Sequence, residues 1–477
     1  MMKKMIAVLA ALALLLAAGC GGGTDGKKDD TTSPGTPTDA MTAPEIPSDV
    51  TVAPADGVNT VGKPQAGFLL FGARYPERAA YPQDDSGEGS GFDDWLADNE
   101  SYRMYDPSQA KGLNGFVTAM TRALLQNADG ENRVCSPLNL YMALAMLTEV
   151  TDGGTRQELL DALGADDTAA LREQAKALWD ANYTDDGVVK SVLADSVWLN
   201  DGMRYHSDAL QTLAEDYFAS VFTGEPGTKD YDEALHEWIN QQTGDLLKDS
   251  AGGLKMDPAM AITLVSSVYF KGRWTETFDA MNSTTETFHG AEKDVPCEMM
   301  RQVEGMGYYR GKGFAAVNKG VMNANGFRFI LPDEGVTVDE VLASKAFADY
   351  LTHSPVDPLE DYTRVALSVP KFDVTADSDV IPALKEMGVK KVFDHGGADF
   401  SPLTDDRDDI AVDKVQHSAR VKIDEEGCEA AAFTAVMAEA TGAFVDEPID
   451  FTLDRPFIFV INGAGGAPLF VGVVNGV

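Results

Sequence analysis

Glu425-Glu426-Gly427-Cys428-Glu429-Ala430-Ala431-Ala432 opens a run of small residues that continues to Ala443. Taken alternately, Cys428, Ala430, Ala432, Thr434, Val436 and Ala438 are all small and at most weakly polar. The intervening Glu429, Ala431, Phe433, Ala435, Met437 and Glu439 mix charge with bulk. A period of two is that of a β-strand with one buried face. Yet Ala, Gly and Glu are poor strand formers, and Gly427 is a point where backbone angles change at little cost. The segment is able to be a strand without being committed to one, as a conformational switch requires.

Working outward, the strands such a segment could join are easy to find. Ile262–Phe270, Pro456–Ile461 and Leu469–Val474 are apolar runs rich in β-branched and aromatic residues, which predicts buried strands. Helical signals lie earlier. Leu113, Phe116, Val117, Met120 and Leu124 keep helical spacing, and Ser136-Pro137 reads as a capping hydroxyl followed by proline in the first turn of a helix near Tyr141–Val150. Thr155-Arg156-Gln157-Glu158 predicts a capping box before Leu159, with Gly164 closing that helix. Helices early and strands late favour an α+β fold over alternating βαβ units.

The chain has 477 residues, 44% of them hydrophobic, and a formal net charge of −38. So acidic a protein lacks the basic footprint of a nucleic-acid binder. Lys3 and Lys4 precede an apolar run from Met5 to Ala18, too short to span a bilayer comfortably and suited to a secretory signal. Leu16-Ala17-Ala18-Gly19-Cys20 resembles a bacterial lipobox, which implies lipidation of Cys20. An ordinary signal peptide with a chance cysteine is the alternative. Residues 1–19 are therefore expected to be a lipoprotein signal. Residues 20–66, rich in Gly, Thr, Pro and Asp, are expected to be a disordered tether with a reach of roughly 35–40 Å. Residues 67–106 carry scattered aromatics between Gly, Pro and acidic residues and read as an extension of unsettled order. From residue 107 to 477 the chain reads as one folded domain.

A search for catalytic chemistry returns little. There is no Gly-x-Ser-x-Gly elbow. His236-Glu237 opens an HExxH-like string, but Asn240 stands at the second ligand position. Gly21–Lys27 nearly spells a phosphate loop, but Lys28 replaces the Ser or Thr and no strand precedes it. The six histidines are scattered, and Cys135, Cys297 and Cys428 have no CxxC partners, so no metal site is expected. An odd number of cysteines after Cys20 gives no complete disulfide framework. No enzyme and no cofactor is implied.

Several segments together resemble the serpins, over about residues 107–477. Cys135-Ser136-Pro137-Leu138 looks like that family's start of a central helix, and Trp238-Ile239-Asn240-Gln241-Gln242-Thr243-Gly244 like the helix crossing its main sheet. Leu264-Val265-Ser266-Ser267-Val268-Tyr269-Phe270-Lys271-Gly272-Arg273-Trp274 follows its central strand and the tryptophan beyond. Leu331-Pro332-Asp333, Val369-Pro370-Lys371-Phe372, Ala398-Asp399-Phe400-Ser401 and Asp454-Arg455-Pro456-Phe457-Ile458-Phe459 match further segments in order.

The resemblance implies a serpin fold: three β-sheets, about nine helices and an exposed reactive-centre loop. It implies a suicide-substrate inhibitor of serine proteases, in which the cleaved loop inserts into the main sheet and traps the acyl-enzyme. The opening segment, Glu425, Glu426, Gly427, Cys428, Glu429, Ala430, Ala431, Ala432 and Thr434, becomes the loop's hinge, and the scissile bond falls near Thr441-Gly442. Ser136, Asn139, Ser266 and His417 stand where the family has its sheet-opening shutter, and Trp274 at the breach where the loop enters. Because Asn139 and Ser266 each occupy the place of the other's residue type, they are expected to exchange roles in a network with His417. From Ile423 to Asp454 there is no Lys or Arg, so trypsin-like proteases have nothing to grip. Small residues at Ala438, Ala440, Thr441, Ala443 and Val445 suit elastase-like or subtilisin-like enzymes, while Met437 or Phe444 would suit a chymotrypsin-like pocket and Glu439 a glutamate-specific one. The expected partner is one such protease, with the chain a monomer that touches a membrane only through lipid at Cys20, outside the cytoplasm of a bacterial cell. The alternative is a non-inhibitory serpin with a binding or structural role at the cell surface.

Overall fold

The computed structural model describes residues 68–82, 90–103, 112–244, 255–322, 324, 326–353, 360–406, 409–428 and 447–477. The helical spacing around Phe116 yields α2 (Leu113–Leu125), with Leu113, Phe116, Val117 and Met120 buried. α3 (Pro137–Val150) starts as its sequence predicts: the Ser136 hydroxyl accepts from the Asn139 N–H, and Pro137 occupies the first turn. It is buried nearly all round, since it runs under the main sheet with helices on its other sides.

The expected capping box at Thr155 and Glu158 does not form. α4 (Gly153–Leu163) begins earlier, capped by Asp152. The Thr155 hydroxyl instead accepts from the Asp399 N–H at 3.0 Å, and the Glu158 carboxylate takes the N–H groups of Lys390 and Lys391, each at 2.8 Å. Both members of the box are used to bind a distant segment. Gly164 closes α4 at φ 66°, as predicted. With α1 (Ser90–Arg103), α5 (Thr168–Asn182), α6 (Ser207–Asp216), α7 (Lys229–Gln242) and three later short helices, there are ten α-helices among the described residues.

The main sheet runs in the order β1 (Leu69–Phe71), β5 (Ser220–Gly224), β4 (Lys190–Asn200), β6 (Ile262–Arg273), β14 (Gly427–Cys428), β13 (Val412–Ile423) and β12 (Phe372–Asp379). A two-residue β3 (Thr184–Asp185) lies beside β4. β6 is buried along most of its length because both faces are covered. Leu264 and Ser266 point toward α3, whereas Thr263 and Val265 point toward α7.

The second sheet runs β15 (Ile449–Thr452), β11 (Asp361–Pro370), β8 (Asp294–Arg310), β9 (Phe314–Lys319), β10 (Phe327–Pro332), β16 (Phe457–Asn462), β17 (Pro468–Val474) and β2 (Arg133–Cys135). β7 (Thr284–His289) pairs with β8. The 17-residue β8 meets β11 over Met299–Tyr308 and β9 over Gly307–Arg310. Two of the three expected sheets therefore share this strand, and their hydrogen bonding is continuous.

Residues 68–82 and 90–103 contribute an ordered strand and helix. β1 pairs antiparallel with β5, Leu69 opposite Phe222. The Tyr81 N–H donates to the Asp186 carbonyl at 2.7 Å, Arg78 pairs with Asp180 at 2.6 Å, and the buried Trp95 of α1 meets the Tyr81 ring edge-on at 5.0 Å. The edge of β5 is thereby paired rather than left open.

Candidate functional site

β6 and β13 are parallel neighbours from Ile262–Val412 to Val268–Ala419. Beyond that point they part, and β14 lies between them, antiparallel to both: Cys428 stands opposite Ile423 on one side and Gly272 on the other. The chain leaving β13 thus turns back at once and enters the sheet.

The turn is held from several directions. The Asp424 N–H donates to the Gly427 carbonyl at 3.0 Å, and the Asp424 carboxylate accepts from the Glu426 and Gly427 N–H groups at 2.9 and 3.3 Å. Trp274, fully buried, donates its indole N–H to the Asp424 carbonyl at 2.9 Å and its backbone N–H to the Glu426 carbonyl at 3.0 Å. The Phe278 N–H reaches the Glu425 carbonyl at 3.0 Å. The Glu425 carboxylate lies 3.0 Å from Lys371 and accepts from the Ser283 hydroxyl at 2.9 Å. Those bonds, with Lys371 foremost, outweigh partial burial and hold its pKa below the usual range, although burial by itself raises it. Glu426 faces Arg273 more loosely, at 3.8 Å.

Gly427 is required where it stands. A Cβ there would lie 2.2 Å from the Gly272 carbonyl oxygen and 2.9 Å from the Arg273 Cα. Cys428 is buried with its thiol toward the Phe270 carbonyl, at 3.9 Å. The first member of the small-residue set therefore occupies the inner face of the sheet. Glu429, Ala430, Ala431, Ala432, Thr434, Thr441 and Gly442 lie outside the described residues, as does Cys20.

Beneath Trp274 sits a cation that sequence reading missed. The Lys319 ammonium, fully buried, donates to Glu304 at 2.7 Å, Gln302 at 2.8 Å and the Glu276 carbonyl at 2.9 Å, and lies over the Phe278 ring at 4.5 Å. Burial lowers its pKa, and Glu304 offsets part of that. Lone charges in an apolar strand are the only sequence signal for such a group.

Ser136, Asn139, Ser266 and His417 come together where β6 and β13 are still paired. His417 stands opposite Ser266 across the strands, and its Nε2 accepts from the Ser136 N–H at 2.9 Å. The Asn139 amide donates to the Ser266 hydroxyl at 2.6 Å and to the Ser267 carbonyl at 2.9 Å. Asn139 is buried and joined directly to Ser266, while His417 enters the network through the Ser136 backbone. Burial pushes the His417 imidazole down to about 4. The next residue in the same row is Asp195 of β4, opposite Ser266. Burial drives its carboxyl well above the usual range, and the Ser266 hydroxyl offsets only part of that. Asp195 interrupts an apolar phase of its strand, Leu193 and Val197 being its same-face neighbours, and that interruption was a legible sign.

A family profile, Serpin (serine protease inhibitor), matches residues 111–476. The chain belongs to the serpin family. Members are in general protease inhibitors rather than enzymes. Among curated proteins this serpin is similar to Serpin-Z2B of Oryza sativa subsp. japonica, 29% identical over 405 residues that cover 77% of this chain and 98% of the relative. It is also similar to Antichymotrypsin-2 of Bombyx mori, 26% identical over 376 residues, 76% and 97% of the two chains. Among solved structures it resembles the thermophilic serpin tengpin in its native state, with TM-score 0.70, 23% identity, and coverage of 78% of this chain and 95% of that one. Human thyroxine-binding globulin complexed with thyroxine follows at TM-score 0.67 and 21% identity, covering 76% and 97%. These likenesses establish the serpin fold.

Proposed function

We propose that this serpin is a suicide-substrate inhibitor of serine proteases with elastase-like or subtilisin-like specificity. The observation that carries the reading is the seating of Gly427–Cys428 between β6 and β13 while the strands below remain paired. A chain that has begun to enter the sheet at one end has a path to continue after cleavage. Burying a strand there requires small, apolar side chains on the inner face. The alternating set from Cys428 to Ala438 meets that demand at every position, with no charge and no proline.

The reaction divides in two. The protease serine attacks the carbonyl of the scissile residue, proposed as Thr441, giving an ester to the serine and releasing the amine of Gly442. Insertion of residues after Cys428 then carries the esterified end away before water attacks the ester. The energy for that step is the difference between the main sheet with β6 and β13 paired and the same sheet with a full-length β14 between them, a strain release of the kind for which serpins are themselves the standing example.

The absence of Lys and Arg between Ile423 and Asp454 argues against trypsin-like targets. The sequence around Cys20 supports a lipid-anchored, exported form held off a bacterial membrane by residues 20–66, acting as a monomer. Labelled palmitate incorporated into the wild type and not into Cys20→Ser would test the anchor.

The central test is incubation with elastase-, subtilisin- and chymotrypsin-like proteases. The expected result is a covalent complex resistant to SDS, with a released C-terminal peptide beginning near Gly442. Thr434→Arg should abolish the complex and leave clean cleavage, because that side chain must enter the sheet. Clean cleavage of the wild type without complex would overturn the reading in favour of a non-inhibitory role.

A further inference from the structure

α7 lies on the outer face of the main sheet, with Tyr231 donating its hydroxyl to the Leu199 carbonyl at 2.9 Å and Trp238 against Phe222. Between this helix and the sheet is a cavity of about 120 Å³. Its floor is made by Thr263 and Val265 of β6 and by Lys414 and Gln416 of β13, so it straddles the boundary between the two strands. Leu235 and Met260 form apolar walls. The ladder between β6 and β13 is irregular between Val412 and Lys414, where the cavity lies.

The polar groups of the lining are unequal. Asp413 already accepts from the Ala261 N–H at 2.9 Å and pairs with His395 at 3.1 Å. Asp257 accepts from the Ala259 N–H at 2.8 Å, and Gln416 donates its amide to Asp377. The half-buried Lys414 and the exposed Lys255 have no ion-pair partner among the described residues. The cavity therefore offers apolar walls with two lysines that have no ion-pair partner among the described residues, beside the carboxylates of Asp257 and Asp413.

We infer that this cavity binds a small monocarboxylate, with its apolar body between Leu235 and Val265 and its carboxylate on Lys414 and Lys255, and that the bound anion ties β6 to β13. A cavity of about 150 Å³ accommodates a benzene ring, so this one of about 120 Å³ takes an apolar body no larger than a ring, with the carboxylate left at the mouth beside the exposed Lys255. Resting on the inhibitory reading above, such a ligand opposes loop insertion, because the strands it touches must separate for the loop to enter. A ligand that binds the closed sheet and not the opened one shifts the balance toward the closed sheet.

The test uses sodium benzoate and the full chain, with no protease present. Calorimetric titration should show one saturable site. Affinity should fall at least tenfold for benzyl alcohol, which keeps the ring without the charge, and for Lys414→Gln, and should vanish in Leu235→Trp, which fills the cavity from α7. Saturating benzoate should also slow the annealing of a synthetic peptide copying residues 428–438 at least threefold in the wild type and leave Lys414→Gln unaffected. No saturable heat, or equal affinity in the wild type and both variants, overturns the site. Saturable binding with unchanged peptide annealing overturns the tie between the strands. Failure of the inhibitory reading appears separately, as cleavage without covalent complex in the absence of benzoate.

Discussion

Two single residues carry measurable consequences. At Gly427 an added Cβ would press on the Gly272 carbonyl and the Arg273 Cα, both of them backbone atoms that cannot step aside. Gly427→Ala should therefore expel the hinge from its slot, lowering stability by about 1–3 kcal/mol in a denaturant titration. An unchanged midpoint would show that the slot does not hold the hinge. At Asp195 the argument is electrostatic. Its folded pKa is raised by burial above the ordinary carboxylate value. Above that ordinary value the unfolded chain has lost the proton while the native protein keeps it, so stability from this group falls as pH rises. Asp195→Asn keeps the shape and removes the titration. It should be more stable than the wild type by about 1–3 kcal/mol at pH 8, with the difference shrinking toward pH 4. A difference independent of pH would refute the account.

Among the elements, the contact between α3 and β6 is the most specific. Asn139 and Ser266 meet at 2.6 Å in the core, and either alone would leave a buried polar group short of a partner. Asn139→Ala and Ser266→Ala should each destabilise, and the double mutant should lose less than their sum, with a coupling of about 0.5–3 kcal/mol. Strict additivity would mean that the pair does not act as one unit. This contact was legible because two residue types had exchanged places in otherwise matching segments. So were most of β6, read over Ile262–Phe270 from its apolar, β-branched and aromatic residues, and α3, from Ser136-Pro137. What could not be read was polarity spent at long range. Thr155 and Glu158 form a correct local capping pattern, yet both are bound by a segment more than 230 residues away. Likewise Lys319 looks like any surface lysine until Glu304, Gln302 and Phe278 are folded around it. The register of β14 was beyond local pattern too, because it depends on where β6 and β13 separate.

For the molecule as a whole, acid and cleavage push in opposite directions. The His417 imidazole is held at about 4, below its ordinary value near 6.5. Between those values the unfolded chain takes up a proton that the native protein refuses, so stability falls as pH drops through that window, by on the order of 3 kcal/mol. Denaturation midpoints measured from pH 7 to pH 4 should decline, and less steeply in His417→Gln. Cleavage should do the reverse. In the intact protein β6 and β13 share a parallel ladder over most of their common length, whereas β14 is antiparallel to both. Completing β14 replaces one parallel ladder by two antiparallel ones, which pair slightly better. It also fixes a segment whose inner side chains are already small enough to bury. About ten added hydrogen bonds at about 1 kcal/mol each, at about 2 °C per kcal/mol for a domain of this size, would raise the melting midpoint by ~20 °C. A single cut near Thr441, checked by mass spectrometry and followed by a thermal scan, measures that gain. The same cut in Thr434→Arg should give none, because a charged side chain cannot enter the inner face. If the cleaved wild type melts where the intact protein does, the sheet is not under strain and the loop serves some purpose other than trapping a protease.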